Sequence, residues 1–145
     1  MSRPLPEISI VVPVFNEEES MPLLQEEISR ALDGLGRPYE VTYVDDRSTD
    51  RSLDVLLGLR SRHPEVRVIR FRRNCGQTPA MAAGFEQARG GVVVTLDADL
   101  QNDPADIPRL VEELDRGFDL VVGWRKDRQD GFLLRRVPSK VANRM

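Results

Sequence analysis

Cysteine and histidine are almost absent from this sequence, whose 145 residues include one of each, Cys75 and His63. A single cysteine cannot form an internal disulfide, which excludes the small secreted domains that disulfides hold together. Zinc sites built from cysteine and histidine are excluded too, so any metal ion must be bound through oxygen atoms. His63 stands before a proline in a predicted surface turn, so we expect no histidine base in the site.

Long apolar runs are also missing. The longest contain about six residues, whereas a membrane-spanning helix needs about 20. The N-terminal MSRPLPEIS has no hydrophobic signal region, which favours a cytoplasmic protein. The hydrophobic share of 40% is enough for a packed core, and the length is typical of one domain, so we expect residues 1–145 to form a single domain.

Charge is distributed unevenly along the chain. Residues 1–120 contain 14 basic and 22 acidic side chains, whereas residues 121–145 contain seven basic and two acidic ones. A basic C-terminal segment on an acidic body predicts an anionic partner, although a solvated helix end would show the same charge. The single tryptophan and the acidic body argue against nucleic acid.

Short β-branched runs alternate with helical patterns. Asp103 followed by Pro104 predicts a capped helix start, and small residues over 77–89 suit close packing of a helix on a sheet. Strands without polar alternation are typical of a parallel sheet covered on both faces. The sequence therefore predicts an α/β fold, a Rossmann-like, mostly parallel open sheet with helices on both faces and strands at 8–14, 41–45, 66–71, 92–96 and 118–122.

Ligands of such sheets bind beyond the carboxyl ends of the strands, so the residues that follow each strand are the candidates for the site. The first strand is followed by Pro13 to Glu17, with neither G-x-G-x-x-G nor G-x-x-x-x-G-K-[ST]. Dinucleotide-binding and P-loop functions lose their main support. A nucleotidyltransferase is also disfavoured, because it would need a glycine-rich basic loop here.

Paired carboxylates follow two of the predicted strands. Asp45 and Asp46 follow the second strand and require a partner, such as a ribose, a base N–H or an arginine; alternatively, Asp46 caps a helix. Asp97 and Asp99, with Gln101 nearby, follow the fourth strand and offer the oxygen ligands that suit Mg²⁺ or Mn²⁺. With arginines downstream that can bind phosphate, these groups predict a site for a nucleotide diphosphate.

Five segments of the chain carry a family resemblance that covers about residues 8–145. They are ISIVVPVFNEEES, YEVTYVDDRSTDRS, RNCGQTPAMAAGF, LDADLQNDP and GWRKDRQDGFLLRRVPSKVANRM. Together they resemble the family 2, GT-A fold glycosyltransferases. Within this family the sequence is most similar to the polyprenyl-phosphate glycosyltransferases, of the dolichol-phosphate mannose synthase and undecaprenyl-phosphate sugar transferase type.

The resemblance implies inverting transfer of a sugar from a nucleotide-diphosphate sugar, a UDP- or GDP-sugar, to a polyprenyl phosphate lipid with Mg²⁺ or Mn²⁺ as cofactor. Asp97, Asp99 and Arg125 are the implied catalytic residues. The other implied roles are nucleotide binding by Pro13, Asn16, Glu17, Asp45 and Asp46, metal binding by Asp97, Asp99 and Gln101, and acceptor-phosphate binding by Arg125, Arg136 and Ser139.

One departure from the family pattern concerns Arg47, which stands where the family usually has glycine. Arg47 is unfavourable if the position needs a positive φ, or it places a cation near the nucleotide. A phosphate acceptor is already ionised and needs no general base, whereas a sugar hydroxyl, the alternative acceptor in polysaccharide synthesis, would need a carboxylate base.

The resemblance also implies that this chain is shorter than the members of the family. Family members continue with acceptor-side helices and often with membrane spans, so we expect a catalytic core truncated on its acceptor side. The full-length protein would then act at the cytoplasmic face of the membrane. A nucleotide-sugar-binding fragment without turnover is the alternative.

Overall fold

The computed structural model describes residues 3–125 and 128–136, with side chains for residues 3–123. Its elements alternate along the chain in the predicted order. They are β1 (Ile8–Val14), α1 (Met21–Leu35), β2 (Tyr39–Asp45), α2 (Ser52–Arg62), β3 (Val66–Arg70), α3 (Gln77–Gln87), β4 (Val92–Thr95), a 3-10 turn (Pro104–Asp106), α4 (Ile107–Asp115), β5 (Leu120–Arg125) and β6 (Arg128–Arg136).

The strands form one sheet in the order β3-β2-β1-β4-β6-β5. β1 pairs in parallel with β2 and β4, and β2 pairs in parallel with β3. β6 pairs antiparallel with both of its neighbours. The predicted open, mostly parallel sheet is thus confirmed.

The sixth strand and the end of the fifth correct the sequence analysis. Residues 128–136, part of the basic C-terminal segment, are β6, and residues 123–125 belong to β5 and do not follow it. The sequence RQDGFLLRR has only a three-residue apolar run, FLL, between charged residues. It is a strand because it pairs with β4 and β5, and such pairing is not visible in a local pattern.

The core lies on both faces of β1. Ile10 and Val12 belong to the cluster that includes residues of α1, whereas Val11, on the opposite face, lies against Gly84 of α3. Successive strand residues point to opposite faces, so helices on both sides bury the apolar run, as the sequence predicted. In the described part of the chain, no helix combines the length and the apolar character needed to cross a membrane.

A buried ionic cluster lies near the amino ends of the parallel strands, away from their carboxyl ends. Glu40 is 2% exposed and accepts hydrogen bonds from Ser9 Oγ at 2.7 Å and from Arg89 Nε at 2.8 Å, with Arg67 Nη1 at 3.2 Å. Burial by itself would raise the pKa of Glu40, but the bonds from Arg89 and Ser9 outweigh it and lower the pKa. The cluster joins β1, β2, β3 and the segment after α3.

Candidate functional site

A cleft of about 370 Å³ opens at the carboxyl ends of the central strands. Five of the residues predicted from sequence line it together, although they come from the ends of three different strands and the loops that follow them. The complete lining is Pro13, Val14, Phe15, Glu17, Asp46, Gln77, Ala80, Asp97, Ala98 and Asp99. The placement follows from the topology, because the carboxyl ends of parallel strands meet at one edge of the sheet.

Asn16, a predicted nucleotide-binding residue, joins two loops and does not line the cleft. Its Oδ1 accepts hydrogen bonds from the backbone N–H groups of Thr49 at 2.8 Å and Asp50 at 3.3 Å. Its own N–H donates to Ser48 Oγ at 3.0 Å. Asn16 thereby fixes the loop after β1 against the loop after β2, which positions the neighbouring Glu17.

Asp50 strengthens the same junction from the other side. Its carboxylate accepts from the N–H of Ser52 at 2.8 Å and from the N–H of Glu18 at 3.4 Å. Burial would raise the pKa of Asp50, but the hydrogen bonds from Ser52 and Glu18 outweigh it and lower the pKa. Asp50 thus binds the N–H of Ser52, the first residue of α2.

Asp45 is fully buried at the end of β2. Its Oδ1 accepts from Ser48 Oγ at 2.5 Å. Its Oδ2 has no hydrogen-bond partner among the described residues, and the nearest guanidinium atom, Arg70 Nε, is 3.9 Å away. Of the partners considered from the sequence, a ribose, a base N–H or an arginine, the structure shows an arginine at long range, and Oδ2 has no hydrogen bond among the described residues.

Asp46 binds the start of α3 with both carboxylate oxygens. Oδ1 accepts from the N–H of Cys75 at 2.6 Å, and Oδ2 accepts from the N–H of Gly76 at 2.8 Å. Asp46 does not cap the helix that follows it in sequence, because both of its carboxylate oxygens accept from residues before α3 and the N–H of Ser52 donates to Asp50. The cap alternative for α2 is therefore wrong, and Asp46 instead connects β2 to α3 at the wall of the cleft.

The loop after β4 carries Asp97 and Asp99 into the cleft. The carbonyl of Ala98, between them, accepts from Ser20 Oγ at 2.5 Å, and Asp97 N–H donates to Asn102 Oδ1 at 3.4 Å. Asp99 Oδ1 accepts from the backbone N–H of Gln101 at 3.1 Å. Gln101, predicted as a metal ligand, does not line the cleft.

The donor set fits a magnesium or manganese ion. Within residues 3–123 no group of three or more His, Cys, Asp or Glu side chains is arranged to hold a metal. Asp97 and Asp99 both line the cleft, however, and such ions bind through one or two carboxylates, with substrate phosphates and water completing the coordination. Two carboxylates in one cleft are therefore the number of protein ligands that such an ion requires.

Three residues other than glycine have positive φ in the described chain. They are Asn16 (54°), Arg47 (60°) and Leu100 (63°), one in each of the loops after β1, β2 and β4. Such conformations are unfavourable for side chains like Arg and Leu and tend to accumulate at functional sites. The value at Arg47 answers the question raised by the sequence: the position does require the conformation that glycine adopts readily.

The predicted acceptor residues are placed by the backbone register of the last two strands. Gly123 pairs with Phe132 and Leu133 pairs with Thr95, so β5 continues to Arg125 past the carboxyl end of β4. Arg136 pairs with Val92 at the opposite end of β4. Arg125 thus lies on the side of the cleft and Arg136 does not, while Ser139 lies outside the described residues.

Sequence reasoning missed Gln77, Phe15 and Ser20. Gln77 follows the loop after β3 in a segment that carried the family resemblance, and its Nε2 donates to Asp97 Oδ1 at 3.1 Å. No local pattern signals this contact between residues 20 positions apart.

His63 lies outside the cleft lining, as expected for a structural role. It follows the last residue of α2 as its C-cap and lies 3.3 Å from Glu65.

Comparisons with known proteins identify the family of this chain. Residues 9–144 match the profile of the family described as Glycosyl transferase family 2. A dodecaprenyl-phosphate galacturonate synthase of Rhizobium johnstonii is 48% identical over 139 residues, which cover 94% of this chain and 41% of that protein. An undecaprenyl-phosphate 4-deoxy-4-formamido-L-arabinose transferase of Pectobacterium atrosepticum is 49% identical over 140 residues, covering 95% of this chain and 42% of that protein. The chain thus spans about two fifths of the length of these relatives.

Solved structures show the same architecture. A mannosyltransferase of Pyrobaculum calidifontis, in complex with GDP-Man and Mn²⁺, superposes with a TM-score of 0.70 at 21% identity, over 91% of this chain and 45% of that one. Glucosyl-3-phosphoglycerate synthase of Mycobacterium tuberculosis, with Mn²⁺, UDP and phosphoglyceric acid, gives 0.73 at 21% identity, over 90% and 56%. The fold is that of the GT-A glycosyltransferases. With its sequence matched over nearly its whole length, the chain belongs to glycosyl transferase family 2.

Proposed function

We propose that this chain forms the catalytic core of an inverting transferase that moves a sugar from a nucleotide-diphosphate sugar to a polyprenyl phosphate. The observation that carries the proposal is the convergence of Glu17, Asp46, Asp97 and Asp99 on one cleft at the carboxyl edge of the sheet. The relatives of about 48% identity are named for polyprenyl-phosphate sugar transfer, which supports this acceptor class.

The nucleotide binds across the loops that follow β1 and β2. Pro13 and Glu17 line the cleft beside Asp46, and Asn16 holds the two loops together through Thr49 and Asp50. Asp45 lies behind this wall with one carboxylate oxygen unpaired among the described residues. Its assignment to the nucleotide rests on the family resemblance, since the carboxylate is fully buried and does not line the cleft. UDP and GDP sugars are both candidate donors.

The metal ion is held by Asp97 and Asp99, with Gln101 as a further oxygen ligand if its side chain turns inward. When bound, Mg²⁺ or Mn²⁺ neutralises the diphosphate as negative charge develops on it. The carboxylates are held for this task by their loop, since Ser20 fixes the Ala98 carbonyl between them.

The chemical step requires no general base. An oxygen of the acceptor phosphate forms a bond to the anomeric carbon while the bond from that carbon to the diphosphate breaks, and the electron pair leaves with the nucleoside diphosphate. Attack from the face opposite the leaving group inverts the configuration. A phosphate monoester is largely ionised at pH 7, its second pKa being about 6, so no side chain has to remove a proton.

Arginine side chains bind the acceptor phosphate. Arg125 is the first candidate, because β5 carries it past the end of β4 on the cleft side; Arg136 and Ser139 are further candidates from the family resemblance. Seven basic residues in 121–145 would attract an anionic membrane surface. We place the protein at the cytoplasmic face of the membrane, where nucleotide sugars and the lipid phosphate meet.

A transfer assay with a short-chain polyprenyl phosphate tests the proposal. The chain is incubated with Mn²⁺ or Mg²⁺ and a panel of UDP- and GDP-sugars, and the lipid product is separated by chromatography. We expect a metal-dependent glycosyl phospholipid from one donor class. Transfer to a sugar hydroxyl instead would replace the acceptor assignment. Nucleotide binding without any transfer by this chain would favour the binding-fragment alternative.

A further inference from the structure

Gln77 contacts one of the two proposed metal ligands but has no role in the function described above. It is the first residue of α3, and its side-chain Nε2 donates to Asp97 Oδ1 at 3.1 Å. The side chain is exposed to solvent and lines the cleft opposite the loop after β4. The Gln77 amide is thus the side chain that reaches the Asp97 carboxylate from the opposite side of the cleft.

The start of α3 is held rigidly, so the Gln77 amide is presented from a fixed point. Asp46 accepts from the N–H groups of Cys75 and Gly76, the two residues before Gln77, and Gly76 has a φ of 98° that favours glycine. Further along the helix, Gly84 lies directly against Val11 of β1. The helix therefore cannot shift relative to the sheet without breaking these contacts.

The backbone of the metal-binding loop is fixed by other residues. Ser20 binds the carbonyl of Ala98, and Asn102, which is 3% exposed, accepts from the N–H of Asp97. Both contacts act on the main chain. The bond from Gln77 acts on the carboxylate of Asp97 itself, so its effect is separable from the folding of the loop.

We propose that Gln77 is a positioning residue for Asp97, which orients the carboxylate toward the metal ion. The proposal rests on the proposed function, since it presumes that Asp97 binds the metal. Carboxylates that ligate metals are commonly hydrogen-bonded by an outer partner. An uncharged donor suits this task, because it fixes Asp97 Oδ1 without neutralising the negative charge that attracts the cation, whereas lysine or arginine would compete with the cation.

Metal binding measured apart from catalysis tests this role. MnCl₂ is titrated into the 145-residue chain with saturating UDP, and in a parallel series with GDP, while free Mn²⁺ is followed by electron paramagnetic resonance. We expect Gln77→Ala to weaken Mn²⁺ affinity by about 10- to 100-fold, with nucleotide affinity at saturating Mn²⁺ unchanged. Thr78→Ala, the next exposed residue of α3, is the matched control and leaves both constants unchanged.

A second variant separates positioning from direct contact with the donor. Gln77→Lys retains a hydrogen-bond donor but adds a cation, so we expect it to weaken Mn²⁺ binding more than Gln77→Ala does. If Gln77 instead bound the diphosphate, lysine would raise nucleotide affinity and alanine would lower it at saturating Mn²⁺; that result would overturn the proposal. Unchanged Mn²⁺ affinity in Gln77→Ala would overturn it as well.

The wild-type titration distinguishes a failure of the proposed metal site from a failure of the role proposed for Gln77. If the wild-type chain binds nucleotide but no Mn²⁺, the metal part of the proposed function is wrong, and the role of Gln77 is overturned with it. If the wild type binds Mn²⁺ and Gln77→Ala binds it equally well, only the role of Gln77 is wrong. Thermal unfolding of each variant shows whether a lost affinity reflects a lost fold.

Discussion

Gly84 of α3 lies so close to Val11 of β1 that a Cβ atom at position 84 would overlap the valine methyl groups. We therefore expect Gly84→Ala to lower the free energy of unfolding by about 1–3 kcal/mol, because Val11 is fully buried and the helix must move away from the sheet. Urea unfolding followed by circular dichroism measures the change.

Gly58 in α2 provides the matched control for this substitution. An added Cβ there would meet no atom within 4 Å. Gly58→Ala should raise the free energy of unfolding by about 0.5–1 kcal/mol, since alanine loses less backbone freedom on folding. Equal effects at the two positions would show that helix propensity, and not contact with the sheet, dominates.

The free energy of unfolding should depend on pH through Glu40, at pH values below the ordinary pKa of a carboxyl group. Its pKa is lowered in the folded state from the ordinary 4.5, so its stabilising contribution is full above that value and is lost as the pH falls through the folded-state pKa. We expect Glu40→Gln to lower the free energy of unfolding by about 1.5–3 kcal/mol at pH 7. The difference from wild type should shrink toward pH 3.

Urea titrations at pH 7 and at pH 3 to 4 measure this prediction. Glu86, exposed on α3, provides the control, because Glu86→Gln removes a carboxylate without such a cluster. If Glu40→Gln lowers the free energy of unfolding by the same amount at every pH, the charge of Glu40 is not the source of its stabilising effect. The loss would then come from the changed shape of the side chain.

Arg47 allows backbone strain to be separated from a role of its charge. At a φ of 60° an arginine is strained by about 1–2 kcal/mol, and the greater freedom of glycine in the unfolded chain offsets about 0.5–1 kcal/mol of any relief. We expect Arg47→Gly to raise the free energy of unfolding by about 0.5–1 kcal/mol, and Arg47→Ala, which keeps a Cβ, to give no gain.

Nucleotide titration of the same two variants tests the other explanation for Arg47. The guanidinium is exposed in the loop that carries Asp46. If its charge attracts the diphosphate, both variants bind UDP and GDP more weakly by the same factor, and the loss decreases as salt is raised. Unchanged affinity would leave only the strain to explain.

Asp99 should be required for metal-dependent turnover. We expect Asp99→Ala to lower kcat/KM for the nucleotide sugar by more than about 100-fold, the upper effect of losing an outer partner of a metal ligand. EDTA should abolish wild-type transfer, and added Mn²⁺ or Mg²⁺ should restore it. Asp106→Asn, an exposed carboxylate outside the cleft lining, is the control. Full activity of Asp99→Ala would remove Asp99 from the metal site.

The two arginines near the C-terminus differ in their position along the sheet. Arg125 lies past the carboxyl end of β4, whereas Arg136 pairs with Val92 at its start. We expect Arg125→Ala to raise the KM for polyprenyl phosphate by about tenfold or more, from the loss of a charge-assisted hydrogen bond, with UDP affinity unchanged. Arg136→Ala should have the smaller effect. An equal or larger loss in Arg136→Ala would favour the family-based assignment over the register.

The local sequence predicted most of the elements, and the reason is burial. β1 and β4 are buried and almost wholly apolar, so both can be recognised without knowledge of their neighbours. β2 is equally buried and is recognised by its β-branched and aromatic residues, although Glu40, Thr42 and Asp45 interrupt the apolar pattern. β6 was not recognised, because it contains charged residues and becomes a strand by pairing between β4 and β5. The end of β5 was misplaced for the same reason.

The amino-acid sequence alone determined the fold class, the oxygen ligands of the site and the strand ends that carry them. It could do so because the spacing of apolar residues and the residue types are local properties of the chain. Only the tertiary structure decided that Asp46 binds the start of α3, that Gln77 reaches Asp97, and that Asn16 joins two loops while Glu17 faces the cleft. These contacts join residues about 20 to 30 or more positions apart. They depend on strand order and register, which arise from pairing across the whole sheet.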